Sequence, residues 1–122
     1  MAIVTLTAEN FESIVSSHDM VLIDFWAQWC GPCRAFSEVY EAASQKYPDV
    51  VFGKIDIEAE RELANDFKIR SIPMLMVFRG NVIIYAEAGA LTSTALEEVI
   101  QKAKALDIKE IQKNIEMGTK EP

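Results

Sequence analysis

The stretch "VLIDFWAQWCGPC" (21–33) runs from an almost wholly apolar segment straight into two cysteines three positions apart. Its first half, "VLIDFW" (21–26), is what a strand covered on both faces looks like. Its second half opens a helix. Pro32 suits a first helical turn, because it has no N–H needing a partner and its φ is preset. Cys30 then lies at a helix N-terminus, where free N–H groups and the positive end of the dipole favour a thiolate. Cys33 is one turn inward, close enough to attack a mixed disulfide formed at Cys30. Gly31 leaves the backbone open to a substrate. Asp24 is the one charge in the strand, and an isolated carboxylate among apolar neighbours is costly to ionise, so its pKa is expected to rise.

Two other uses of a Cys-x-x-C fit less well. Zinc needs about four ligands, usually Cys and His. The chain has two Cys and one His, and His18 sits in a polar turn away from the pair. A structural staple gains little when it closes so short a loop, and the chain has apolar material enough for a core without one. Redox exchange accounts for the residue types between the cysteines. No bound cofactor and no metal are called for.

The chain around this segment is 122 residues long, enough for one domain, with half its residues hydrophobic and a quarter charged. Nineteen acidic against twelve basic side chains give a net charge of −7. That balance argues against nonspecific nucleic-acid binding and against docking on an anionic membrane, since both need basic patches. No apolar run approaches the roughly 20 residues that span a bilayer. The opening "MAIVTLTAENFESIV" lacks a basic flank and a cleavage site and reads as a strand and then a helix. With Met1 present, the expected compartment is the cytoplasm, where thiols are mostly held reduced.

Outward from the cysteines the elements alternate. "IVTL" (3–6) is a short β-branched run, and Thr7 can cap a helix carrying Phe11, Ile14 and Val15. After the cysteines, Phe36, Val39, Tyr40 and Ala43 form one helical stripe that ends at Pro48 and Asp49. "VVFGKID" (50–56) is a strand, and "AERELANDFK" (59–68) a short polar helix with Leu63 and Phe67 inward. "MLMVF" (74–78), a turn "RGN" and "VIIYAEA" (82–88) form a hairpin, with Gly80 and Asn81 supplying the turn chemistry. From about Ser93 a last helix carries Leu96, Val99, Ile100 and Ala103. The order β-α-β-α-β-α-β-β-α predicts an α/β domain with a central mixed sheet.

These residues resemble the thioredoxin family. That family's signature stands here as "IDFWAQWCGPC" (23–33), and the match continues through "KIDI" (54–57), "IRSIPMLMVFRG" (69–80) and "AGALT" (88–92). The resemblance covers about residues 3 to 105 and implies a thioredoxin fold, with a mixed five-stranded sheet flanked by helices on both faces. It implies that Cys30 is the exposed nucleophile and Cys33 the buried resolving thiol. Asp24 is implied to take the Cys33 proton during resolution, with Lys54 as its partner. Pro73 matches the family's cis-proline, which would present the Ile72 backbone to an extended client strand. Trp29, Gly31, Pro32, Ile72, Gly89 and Ala90 would form an apolar rim for protein substrates, and Trp26 would pack beside the centre. Three positions depart from the pattern. Glu38 stands where a helix-kinking proline is common, Ser71 replaces a glycine, and Met74 replaces a threonine beside the substrate-facing loop. A longer, adaptable Met74 would widen the rim or simply pack.

The activity so implied is reduction of disulfides in client proteins, with electrons from a flavoprotein, an NADPH-dependent thioredoxin reductase. Two alternatives are a binding module or scaffold with this fold, and an oxidant or isomerase running the exchange the other way. The domain is expected over 1–106, with a helical extension and tail over 107–122. There Asp107 and Glu110 mark a helix start, and Ile108, Ile111 and Ile115 form one apolar stripe that Gly118 closes. That stripe would fold back on the domain or serve docking, including a weak dimer through this helix.

Overall fold

A computed structural model of the chain describes residues 3–111. The elements follow the expected order: β1 (Ile3–Thr5), α1 (Phe11–Ser17), β2 (Met20–Trp26), α2 (Gly31–Lys46), β3 (Val51–Asp56), α3 (Arg61–Asp66), β4 (Met74–Arg79), β5 (Val82–Ala88) and α4 (Ser93–Ala105). The strands form one five-stranded sheet in the order β1-β3-β2-β4-β5. β1, β3 and β2 are parallel, whereas β4 runs antiparallel to β2 and β5 antiparallel to β4. The central position of β2 explains its apolar sequence, because both edges are hydrogen-bonded and both faces are covered.

Alternation along β2 assigns its residues to two cores. Met20 and Leu22 pack with Phe36, Tyr40 and Ala43 of α2 and with Leu96 and Ile100 of α4. Val21, Ile23 and Phe25 pack on the other face with Val15 of α1 and Leu63 of α3. There Phe11, Phe67 and Phe78 meet edge to face, at centroid distances of 5.4 to 6.3 Å. By the same period Asp24 belongs to the α2 face. The Tyr40 hydroxyl donates to the Gly53 carbonyl at 2.8 Å, which fixes α2 over β3. Gly53 is needed there, since a Cβ would come 2.5 Å from Leu6 Cδ1.

Two local features differ from the sequence reading, while Thr7 does cap the entry to α1: its Oγ1 accepts the Asn10 N–H at 3.3 Å, its own N–H donates to Asn10 Oδ1 at 2.7 Å, and its carbonyl accepts the Phe11 N–H at 2.9 Å. The hairpin turn is two residues, not three: Gly80 and Asn81 both have positive φ, 57° and 68°, the geometry that matches strand twist. Arg79 consequently ends β4 and is buried, donating to the carbonyls of Ala103 and, at 3.0 Å, Leu106. Its other terminal nitrogen lies 3.4 Å from Asp19. Beyond α4 a helical turn occupies 108–111, with Asp107 Oδ1 accepting from Lys109 N–H at 2.9 Å. Ile115 and Gly118 lie outside the described residues.

Candidate active site

The carboxyl end of β2 turns through residues 27–30 into α2, and Cys30 is the N-cap residue. Its extended backbone (φ −93°, ψ 110°) lets Sγ accept the Cys33 N–H at 3.2 Å. Pro32 occupies the first turn, as its preset φ favours. Cys30 and Cys33 are joined in a disulfide with their Cα atoms 5.3 Å apart. Across the site the Ile72–Pro73 bond is cis, and the Ile72 carbonyl oxygen lies 3.8 Å from Cys30 Sγ.

Exposure does not separate the two sulfurs as the sequence reading expects. Cys30 is 5 % exposed and Cys33 3 % exposed, both packed with Ala27 beneath Trp26, Ile57 and Ile72. What distinguishes them is the helix terminus, which serves Cys30. The surrounding rim is open: Trp29 is 65 % exposed, with its indole N–H donating to Glu58 at 3.3 Å. Gly31, Pro32, Gly89 and Ala90 are exposed too, and a Cβ on Gly31 would meet open space. The Gly89 N–H donates to the Pro73 carbonyl at 2.8 Å, with Gly89 at φ +118°, so the two loops at the rim are tied together. Ile72 and Met74 are half-buried and pack against the Phe25 core, whereas Pro73 is buried.

On the α2 face of β2, between Lys54 of β3 and Leu75 of β4, Asp24 has no exposed surface, and neither carboxylate oxygen has a protein hydrogen-bond partner. Burial raises its pKa from an ordinary 3.8 to about 7, with the Lys54 charge pulling the other way. Lys54 stands opposite Asp24 in the β2–β3 register. Its ammonium, however, donates to Ser37 Oγ at 2.9 Å and sits 5.1 Å from the centre of the Trp26 ring. A cleft of about 370 Å³ reaches Cys33 from solvent between Trp26, Gln28, Arg34, Ser37 and Lys54. Ser37 went unread in the sequence, although it lies four residues after Cys33 and so on the same helical face. Among the described residues no three of His, Cys, Asp and Glu converge on a metal-sized gap.

The family model described as Thioredoxin matches residues 2–102. The chain is 52% identical over 112 residues to putative thioredoxin 2 of Streptomyces coelicolor, covering 92% of this chain and 84% of that protein. It is 37% identical over 103 residues to thioredoxin of Bacillus subtilis, covering 84% and 98%. Among solved structures, the short form of spinach chloroplast thioredoxin f superposes with a TM-score of 0.79 at 31% identity, over 85% of this chain and 95% of that one. Thioredoxin of Plasmodium falciparum gives 0.76 at 34% identity, over 84% and 98%.

Proposed function

The chain belongs to the thioredoxin family, and from that premise we propose how its residues divide the work of a protein-disulfide reductase that exchanges Cys30–Cys33 between dithiol and disulfide. In the reduced protein the Cys30 thiolate attacks one sulfur of a client disulfide. The Cys30–client bond forms, the client S–S bond breaks, and the departing client sulfur takes up a proton. Cys33 then gives its proton to Asp24 and attacks Cys30 Sγ. The client's second sulfur leaves with the electron pair and is protonated, so the client gains two electrons from the Cys30–Cys33 pair and two protons, one matching the Cys33 proton that Asp24 has taken up and one from solvent.

One observation carries the assignment of Cys30 as nucleophile: its Sγ is the N-cap acceptor of α2, receiving the Cys33 N–H at 3.2 Å. A helix start stabilises negative charge there, which lowers the thiol pKa and raises the thiolate fraction. Asp24 fits the role of proton acceptor because its burial leaves it poised near neutrality. Trp29, Gly31, Pro32, Gly89 and Ala90 offer the client a surface, and the Ile72 backbone beside Pro73 offers it a strand edge. Met74 supports that loop from below, packing against the core.

Members of this family act on disulfide-bearing clients and are recharged by thioredoxin reductase. For this chain we assign the electrons to an NADPH-dependent flavoprotein of that kind. A cytoplasmic setting suits a dithiol that must be kept reduced. Residues 1–106 form the working domain in this reading, and 107–122 an extension outside the chemistry. The test is Cys33→Ser. In that variant resolution stops, and clients accumulate in mixed disulfides that mass spectrometry maps to Cys30. Failure to accumulate any would overturn the division of roles.

A further inference from the structure

Lys54 ends on α2, not on its cross-strand neighbour. Its ammonium sits over the Trp26 ring, 5.1 Å from the ring centre, and donates to Ser37 Oγ at 2.9 Å. Asp24, opposite it on β2, is fully buried with both oxygens lacking a protein hydrogen bond. A lysine ammonium is a strongly hydrated charge on a flexible stem, and the cleft that holds this one opens to solvent. The Ser37 hydroxyl is therefore what decides how long the charge stays inside.

We propose that Ser37 is a positioning residue for the resolving step: its hydroxyl holds the Lys54 ammonium in the cleft beside Asp24, and through Lys54 it keeps Asp24 available as the acceptor of the Cys33 proton at neutral pH. This rests on the reading of Asp24 as that acceptor. The other groups on this side of Asp24 do not supply the charge. From α2 come Cys33 and Tyr40, and Tyr40 stays neutral because burial first, and the Asp24 charge second, push its pKa well up. From β4 the residue opposite Asp24 is the apolar Leu75. Lys54 is the group whose charge favours an ionised Asp24, and Ser37 is its anchor.

Ser37→Ala removes the anchor without threatening the helix, since alanine is the strongest helix former. The freed ammonium moves toward water, its pull on Asp24 weakens, and the Asp24 midpoint rises by roughly half a unit to one unit. The carbon-13 carboxyl signal of Asp24 in the oxidised protein reads this directly. Ser37→Thr, which keeps the hydroxyl, should restore the wild-type midpoint. In a Lys54→Met background, Ser37→Ala should add nothing. An unchanged or lowered midpoint in Ser37→Ala overturns the proposal, and so does a full shift in the Lys54→Met background. The pH profile of client release from the Cys30 mixed disulfide is measured alongside. Its acid limb should move up with the midpoint, making release roughly two- to fivefold slower at pH 7. A midpoint that moves while the release profile stays fixed would separate the two readings: Ser37 would anchor Lys54, and Asp24 would not be the acceptor.

Discussion

Burying Asp24 makes folding stability depend on pH in the sense opposite to that of a salt-bridged carboxylate. Its pKa is about 7 in the folded chain against an ordinary 3.8, so over that window the folded state holds a proton that the unfolded state has lost. The contribution of Asp24 to stability is therefore greatest below about pH 4, falls as pH rises to about 7, and is level above it, its whole change being on the order of 4 kcal/mol. Asp24→Asn removes the ionisation and should flatten that slope, as urea unfolding of the oxidised protein at several pH values would show. The same variant should slow client release from the mixed disulfide more than the first attack; equal slowing of both steps would remove Asp24 from the proton step. Much of this was legible in "VLIDFW", where one carboxylate stands in a strand too apolar to solvate it. Two things were not. That Lys54 bonds Ser37 and leaves Asp24 unbonded depends on how α2 lies across β3, and the near-equal burial of Cys30 and Cys33 depends on the loop at Ile72.

At the scale of elements, hydrophobic periodicity gave the order of strands and helices, because each buried face imposes its own repeat on the sequence. Ends and anchors were harder to read, since they depend on partners distant along the chain. Arg79 is the clearest instance. In sequence it belongs to a polar turn, "RGN", but the two-residue turn at Gly80 and Asn81 draws it into β4. There its guanidinium reaches the Ala103 carbonyl in the last turn of α4 and the Leu106 carbonyl beyond it, where the negative end of the helix favours a cation. Arg79→Met keeps the apolar stem but removes both guanidinium bonds, leaving the Ala103 carbonyl only the Leu106 N–H. We expect a loss of about 1–2 kcal/mol in unfolding free energy, with the reduction of clients unaffected. Unchanged stability would mean that the cost of burying the guanidinium, whose Nε has no partner, cancels its bonds.

Across the whole molecule, the redox pair sits where the central strand hands over to a helix, so the sheet and α2 hold it from both sides. None of the residues argued to take part in exchange lies beyond Leu106, and the Arg79 bond to the Leu106 carbonyl needs only the chain up to that point. Truncation after Leu106 should thus leave turnover of a disulfide-bonded client at the full-length rate. A large fall in rate would mean that the extension takes part in client handling. The mass of the two forms by light scattering would also decide between an extension that folds back and one that pairs two copies.

The hairpin register slips by one residue between Val77 and Phe78, which leaves Ile84 as an extra residue in β5, the last strand of the sheet. A straight border strand offers an even row of amides on which a stray chain can build, the first step of fibril growth. The bulge bends that row and breaks its spacing, and Glu87 sets a negative charge further along it. Ile83 is exposed on the same strand without a flat template around it. The outer edge of the sheet is thereby a poor template on which further copies of the chain could stack.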